Sequence, residues 1–336
     1  MIINEDIEEI IFRSKNSLNK IDGSKILITG ASGFIGQYFI EVFKKINVEV
    51  VAIDNNLKKE NINVKNIKWI EANAKISDCI DEKFDYIIHL AGIASPQNYK
   101  LKPLETIYSA VDITRLLLEK SKKDKSKFLF FSSSEIYGDP AENFIPTPES
   151  YFGNVSTLGP RSCYDESKRL GETLCYIYKT EFDTKISIVR PFNIYGPGIL
   201  SSDLRVLPNF ANSLIKNEKI KIYGNGKQTR TFCYITDAMV GFLKVLIDSN
   251  DPYVFNVGAE GPEISMIDFA NKCCKIFNNF AEYEIIPYPE SYPGAEPFRR
   301  CPDISLIKKE LNYKAIVSLD EGLNRFFLWA KENYLN

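Results

Sequence analysis

The stretch Ile26-Leu27-Ile28-Thr29-Gly30-Ala31-Ser32-Gly33-Phe34-Ile35-Gly36 decides how this chain is read. An aliphatic, β-branched run stops at a glycine. Two more glycines follow at even spacing, and an apolar helical pattern then runs through Tyr38, Phe39, Ile40, Val42 and Phe43. That is strand, tight turn, helix, and such a turn aims backbone N–H groups and a helix N-terminus at a pyrophosphate. Gly30 permits the turn, Gly33 lets the backbone approach the phosphates, and Gly36 lets helix and strand pack closely. The spacing Gly-x-x-Gly-x-x-Gly is not the commoner Gly-x-Gly-x-x-Gly, so the turn needs support from its surroundings.

The next strand supplies it. Val48-Glu49-Val50-Val51-Ala52-Ile53 ends at Asp54, near the offset of about 20 residues at which an acid meets the adenosine ribose hydroxyls. An acid there repels the extra phosphate of NADP, and Asn55, Asn56 and Leu57 supply no compensating cation. The reading favours NAD.

Composition sets the outer limits. The chain has 336 residues, 44% hydrophobic and 26% charged, with a net charge of −2, as expected of a globular chain with a substantial core. The charge balance argues against a nucleic-acid surface. No apolar run approaches the ~18 residues that span a bilayer. The start, Met1-Ile2-Ile3-Asn4-Glu5-Asp6, lacks the basic opening of a signal peptide. The 7 cysteines form no C-x-x-C pair, which suggests reduced thiols in a cytoplasmic protein and no metal site. Cys273-Cys274 reads as a buried helix face.

Ile7, Ile10, Ile11 and Leu18 fall at helical spacing, so a helix precedes the first strand and buries its apolar face on the domain or on a neighbouring subunit. Strands then alternate with helices: Ile67–Glu71, Phe84–Gly92, a helix over 103–120 opened by Pro103, Phe128–Phe131, a helix to about Thr180, and Ile186–Arg190. This alternation predicts an α/β fold with a doubly wound, Rossmann-type parallel sheet, whose ligands lie at the carboxyl ends of the strands. Asn73, at one strand end, is placed to meet an adenine edge. His89, the only histidine, sits in a core strand and reads as structural. Gly92, Ser134 and Glu135 converge on the glycine turn. Tyr164 and Lys168 share one helix face. An ammonium beside a phenol favours phenolate, a base for a sugar alcohol whose hydride leaves for nicotinamide.

Beyond Arg190 the composition shifts to Pro, Gly and Tyr. Ile220–Arg230 reads as a strand and turn over the sheet edge, 238–247 as a helix, 253–257 as a strand, 266–277 as a helix capped by Ser265, and 319–334 as a closing helix. The expected organisation is a helical extension over 1–21 and a cofactor domain over 22–190 completed by about 231–258. A smaller α/β substrate domain over 191–230 and 259–336 brings Arg205, Arg230, Arg299 and Arg300 to the cofactor. Guanidinium groups suit diphosphates and carboxylates.

At these residues the chain resembles the extended short-chain dehydrogenase/reductase family that acts on nucleotide sugars, and within it the UDP-glucuronate decarboxylases. The resemblance spans about 24–330. It rests on the glycine turn, His89-Leu90-Ala91, Ala94-Ser95-Pro96-Gln97-Asn98-Tyr99, and Ser134-Glu135-Ile136-Tyr137-Gly138-Asp139-Pro140. It continues through Gly159-Pro160-Arg161 with Tyr164-Asp165-Glu166-Ser167-Lys168-Arg169, then Gln228-Thr229-Arg230, then Arg299-Arg300-Cys301-Pro302-Asp303-Ile304.

The resemblance implies that Tyr164 removes the C4 hydroxyl proton, NAD takes the C4 hydride, the resulting β-keto acid loses CO2, and the reduced cofactor is available to reduce the ketone. Lys168 lowers the tyrosine pKa and holds the nicotinamide ribose, Ser134 bonds O4, and Glu135 with Arg300 supports the carboxylate and protonation steps. The implied cofactor contacts are Gly30, Ser32, Gly33, Phe34, Ile35, Gly36, Asp54, Asn55, Asn73, Ala74, Leu90, Ala91, Gly92, Ser132, Tyr164, Lys168 and Pro191. The implied substrate contacts are Ser95, Tyr99, Ser134, Glu135, Asn193, Arg205, Tyr223, Gln228, Arg230, Arg299 and Arg300. A UDP-sugar substrate and a homodimer built on the helices near 103–120 and 165–180 are expected, with neither membrane nor nucleic-acid partner.

Two departures bear on the sugar. Gly198 stands where the family often has Arg after Gly-Pro, and Phe152-Gly153-Asn154-Val155-Ser156-Thr157 replaces a Trp-Gly-His-Val-Asn-Pro-like loop. Other readings stay open. A 4,6-dehydratase expects an Asp-Glu pair where Ser134-Glu135 stands, and a 4-epimerase usually lacks that Glu. A C4 oxidase on another nucleotide sugar shares the first hydride step. A non-catalytic NAD-binding regulator would not need Ser134, Tyr164 and Lys168 together.

Overall fold

The computed structural model describes residues 3–56, 65–72, 81–277, 282–288 and 297–334. In chain order the elements are α1 (Asn4–Leu18), β1 (Lys25–Thr29), α2 (Phe34–Lys44), β2 (Glu49–Asp54), β3 (Ile67–Glu71), β4 (Tyr86–His89), α3 (Pro96–Leu101), α4 (Pro103–Asp124) and β5 (Lys127–Phe131). After a 3₁₀ turn at Ser134–Tyr137 come α5 (Ser162–Phe182), β6 (Lys185–Pro191), β7 (Ile194–Tyr195), α6 (Val206–Ile215), β8 (Ile220–Tyr223), β9 (Thr229–Arg230), β10 (Cys233–Tyr234) and α7 (Ile235–Asp248). The chain continues with β11 (Val254–Val257), β12 (Ile264–Ser265), α8 (Met266–Phe277), β13 (Tyr283–Ile286), β14 (Arg299–Arg300), α9 (Ser305–Leu311) and α10 (Leu319–Asn333).

The main sheet is parallel, in the order β11-β6-β5-β4-β1-β2-β3. Strand order reverses between β1 and β4, and the register sets Thr29 beside both Ile53 and His89. The carboxyl ends of three strands therefore open on one crevice, where ligands of such sheets bind. Both sheet faces are buried, which is why these strands read as continuous apolar runs. Ile26 and Ile28 pack into the cluster holding Phe39, Phe43 and Phe242. Leu27 faces the other way, into the cluster of Leu117, Phe128 and Cys175.

The partner of α1 is this same chain. Its face of Ile7, Ile10 and Leu18 is buried against α7 and α2. Ion pairs ring the contact: Arg13 to Asp237 at 2.7 Å and Arg325 to Glu9 at 2.8 Å. Ser265 caps α8, its Oγ accepting from Asp268 N at 3.1 Å. Cys273 and Cys274 are both buried on that helix. The expected strand forms as β8 and pairs with β13 in a separate two-stranded sheet, and β12-β9-β14 form another small sheet. Asn73 and Ala74 lie outside the described residues. Among the described residues no helix is long and apolar enough to cross a membrane, and no group of His, Cys, Asp and Glu could hold a metal ion.

Candidate active site

The glycine turn is shaped for a ligand that needs backbone. Gly30 sits at φ +73°, and a Cβ there would lie 2.6 Å from Ala91 N. A Cβ on Gly36 would lie 2.4 Å from the Gly30 carbonyl oxygen. Asp54, at the end of β2, accepts from Ser32 N at 2.9 Å and Asn56 N at 3.0 Å, which fixes the turn against the strand. The Ser32 and Ser132 hydroxyls are buried and have no partner among the described residues. Bare backbone at the start of α2, two orphaned hydroxyls and an acid at the second strand end fit a dinucleotide.

Beside this turn opens a cavity of about 310 Å³. It brings together Phe34, Ile35, Leu90, Tyr99, Ser132, Ser134, Glu135, Tyr164, Lys168, Pro191, Asn193, Arg205, Gln228, Arg230 and Arg300. Gly30, Ser32, Gly33, Gly36, Asp54, Asn55, Ala91 and Gly92 lie outside its lining, as do Ser95, Tyr223 and Arg299. Arg299 turns away and grips Glu263 with two bonds, of 2.8 and 2.7 Å. Successive side chains of a strand point to opposite faces, so Arg299 and Arg300 cannot both enter one cavity. Tyr223 packs on Tyr288, ring centroids 5.9 Å apart.

Tyr164 and Lys168 lie one turn apart on α5, both buried. The Lys168 ammonium donates to the Phe131 carbonyl at 2.7 Å. Burial pushes its pKa down to about 8, so it is mostly charged at pH 7. The lowered phenol expected from Lys168 is not what the structure has. Burial pushes Tyr164 up to about 12, against a bond to Ser133 that favours phenolate. The ring of Tyr99 stacks on that of Tyr164 at 5.2 Å. Lys168 Nζ is directed at a carbonyl and lies 5.9 Å from the Tyr164 ring centroid. His89 is a core residue: its Nδ1 is 2.8 Å from Thr29 Oγ1, and burial holds its pKa near 3, so the ring is neutral.

The charged wall of the cavity is a cluster that sequence spacing did not assemble. Glu135, on the 3₁₀ turn after β5, is gripped by Arg161 and by Arg300, the latter at 2.6 Å. Burial would raise the Glu135 carboxyl, but Arg300, Arg161 and Arg230 outweigh it and hold the group ionised. Arg161 also reaches Asp165, Nε to Oδ2 at 3.5 Å. Burial and the neighbouring Glu135 push Asp165 up to about 7. Arg161, Ser133 and Asp165 are the site residues that sequence reasoning did not select. The available signals were the place of Arg161 in the Gly-Pro-Arg stretch, of Asp165 in Tyr-Asp-Glu, and of Ser133 in the serine run after β5. Arg230 is braced by the carbonyls of Thr229 at 2.8 Å and Pro297 at 2.9 Å. Arg205 pairs with Asp203 at 2.6 Å. Asn193, at φ +44°, donates to the Thr231 carbonyl at 2.8 Å.

A glycine turn at the switch point of a doubly wound sheet, opening on a buried tyrosine, lysine and serine, defines a dinucleotide-dependent enzyme of hydride chemistry. The sequence pattern of the NAD dependent epimerase/dehydratase family matches residues 26–258. The chain belongs to that family: it is an enzyme of this class and its cofactor is NAD. Among curated relatives, UDP-glucuronic acid decarboxylase 1 of Arabidopsis thaliana is 36% identical over 93% of this chain and 71% of its own length. UDP-glucuronic acid decarboxylase 1 of Xenopus tropicalis is 34% identical over 92% of this chain and 72% of its own. Among solved structures, the UDP-glucuronic acid 4-epimerase of Bacillus cereus, in complex with UDP-glucuronic acid and NAD, superposes with a TM-score of 0.76 at 27% identity, covering 92% of this chain and 99% of that one.

Proposed function

We propose that this NAD-dependent nucleotide-sugar enzyme is a UDP-glucuronate decarboxylase. The observation that carries the reading is Glu135, held ionised between Arg161 and Arg300 beside Tyr164. Three guanidiniums with Arg230 face a single fully ionised carboxylate, so the wall keeps a positive surplus for a second one, that of a uronate. The curated relatives described above carry the same activity in their names.

The glycine turn, Asp54 and Lys168 would hold NAD, which would supply the acceptor for the C4 hydride. Tyr164 takes the C4 hydroxyl proton, with Ser133 and Ser134 beside it orienting the oxygen. Lys168, anchored on the Phe131 carbonyl, keeps N–H groups free for ribose hydroxyls. The 4-keto uronate is a β-keto acid: its C5–C6 bond breaks, the electron pair enters the C4–C5 enolate, and CO2 leaves. Arg300 and Arg161 hold the departing carboxylate, and C5 is protonated beside Glu135. Asn193, Arg205 and Gln228 line the same cavity and are the residues assigned to the diphosphate.

The same reading gives a cytoplasmic homodimer. Leu104, Ile107 and Tyr108 on α4 and Leu170, Tyr176 and Ile177 on α5 are exposed apolar residues on two helices that pack together, and they fit a four-helix contact with a second copy. The test incubates purified protein with NAD and UDP-glucuronate and follows CO2 and product mass, with Tyr164→Phe as control. CO2 with a UDP-pentose supports the reading. A UDP-hexuronate epimer without CO2 replaces it with epimerisation.

A further inference from the structure

Glu135 and Arg300 meet across 165 residues of sequence. Glu135 N donates to Ser133 Oγ at 3.2 Å on its own turn, and Arg300 is held in β14 by pairing with β9. A chain of buried hydrogen bonds behind the cavity ties these two segments to each other. Tyr137, two residues beyond Glu135, donates its hydroxyl to Asn256 Oδ1 at 2.7 Å. The Asn256 amide nitrogen donates to the carbonyls of Thr147 at 2.9 Å and Asp303 at 3.0 Å. Thr147 is zipped to the segment just past Arg300: its N–H donates to the Cys301 carbonyl at 2.8 Å, and its carbonyl accepts from Asp303 N at 3.0 Å. The other end is anchored on the catalytic helix. Arg190 donates to the Tyr137 hydroxyl at 2.7 Å and grips Glu172, one turn past Lys168, with bonds of 2.9 and 2.6 Å. Tyr137, Asn256, Thr147 and Arg190 are all buried, and none lines the cavity.

We propose that Tyr137 and Asn256 are positioning residues of the reaction: as one strut they set the separation of Glu135 and Arg300 and tie both to the helix that carries Tyr164 and Lys168. Every member of the strut is hydrogen-bonded. The Asn256 side chain has both amide N–H groups and its oxygen engaged, and the Tyr137 hydroxyl accepts one bond and donates another. A buried network whose members are all bonded favours one geometry, and a missing member leaves a buried orphan that shifts to find a partner. The inference deepens the roles given above to Glu135 and Arg300 and rests on them.

The test is a double-mutant cycle of Tyr137→Phe with Glu135→Gln. Tyr137→Phe keeps the ring against Phe192, 5.9 Å away, and deletes one hydroxyl. It is expected to lower kcat by about ten- to a hundredfold while NAD affinity and KM for the nucleotide sugar stay within about twofold. In the Glu135→Gln background the same change is expected to lose less than about twofold, because the strut acts through that carboxylate. Asn256→Ser is the second variant if Tyr137→Phe does not fold, with the same pattern expected. Wild-type kcat in the variant, or an equal fractional loss in both backgrounds, overturns the proposal. The cycle is read on whichever nucleotide sugar the wild type turns over. A wild type that releases no CO2 from UDP-glucuronate therefore overturns the decarboxylase reading alone.

Discussion

Replacing Asp165 by Asn should change how stability depends on pH. Asp165 is 6% exposed, and its Oδ1 has no partner. Arg161 Nε stands off at 3.5 Å, spending its stronger contact on Glu135. Burial first, and then Glu135, raise the Asp165 carboxyl from 3.8 to about 7, while Arg161 and Arg300 pull the other way. The unfolded chain thus releases this proton near pH 3.8 and the folded chain near pH 7. Between those values the unfolded state binds fewer protons, so stability falls as pH rises. The slope is about 1.4 kcal/mol per pH unit at most, which amounts to roughly 2–3 kcal/mol between pH 5 and pH 8. Asp165→Asn removes the titration. Relative to wild type, the variant should therefore gain that amount of stability on going from pH 5 to pH 8. Urea unfolding at four pH values in that range, with midpoint and slope fitted for both proteins, measures the difference. A difference, variant minus wild type, that does not change with pH, or one that falls as pH rises, would refute a neutral Asp165 near pH 5 and with it the charge inventory drawn for this wall.

Three further predictions follow from the same geometry. Gly36→Ala drives a Cβ to 2.4 Å from the Gly30 carbonyl and 2.8 Å from that of Ala31, both backbone. It should cost about 1–3 kcal/mol and weaken NAD binding at least about tenfold, measured by calorimetry. The turnover rate should fall on an alkaline limb near pH 8 as Lys168 loses its proton, and the residual rate of Lys168→Arg should lack that limb, since a guanidinium keeps its charge. Arg13→Met removes the side-chain partner of the fully buried Asp237, which keeps the N–H groups of Ile316 and Val317. Thermal unfolding should report a loss of about 2–4 kcal/mol, with turnover per folded molecule unchanged.

The parts of the fold that local patterns encode were legible. The run to Gly30, the helix after Gly36 and the strand ending at Asp54 each carry their own periodicity or turn chemistry, and each formed where the sequence put it. Tyr164 and Lys168 could be paired because helical geometry alone brings positions four apart onto one face. What escaped were contacts made by the tertiary path. Arg161 meets a carboxylate 26 residues away, and its Gly-Pro-Arg stretch gives no sign of which carboxylate that is. The alternation of strand residues could have separated Arg299 from Arg300, but only once that segment was known to be extended. Tyr164 taught a different point. Spacing fixes which groups are near, whereas the balance of burial against charge depends on how much water the finished fold removes. Whether α1 covered its own chain was equally beyond spacing, since α7 lies more than 200 residues further on.

That last contact also bears on how the protein is made. Arg13 and Asp237 are 224 residues apart, so the apolar face of α1 leaves the ribosome long before α7 exists to cover it. At ordinary synthesis rates the interval is roughly ten to fifty seconds. Throughout it the part of the Ile7, Ile10 and Leu18 face that α7 covers has only α2 beside it. The seal between the first helix and the late ones, completed when Arg325 closes on Asp6 and Glu9, makes this contact one of the last to form. The full contact cannot form until the chain has been made past Arg325.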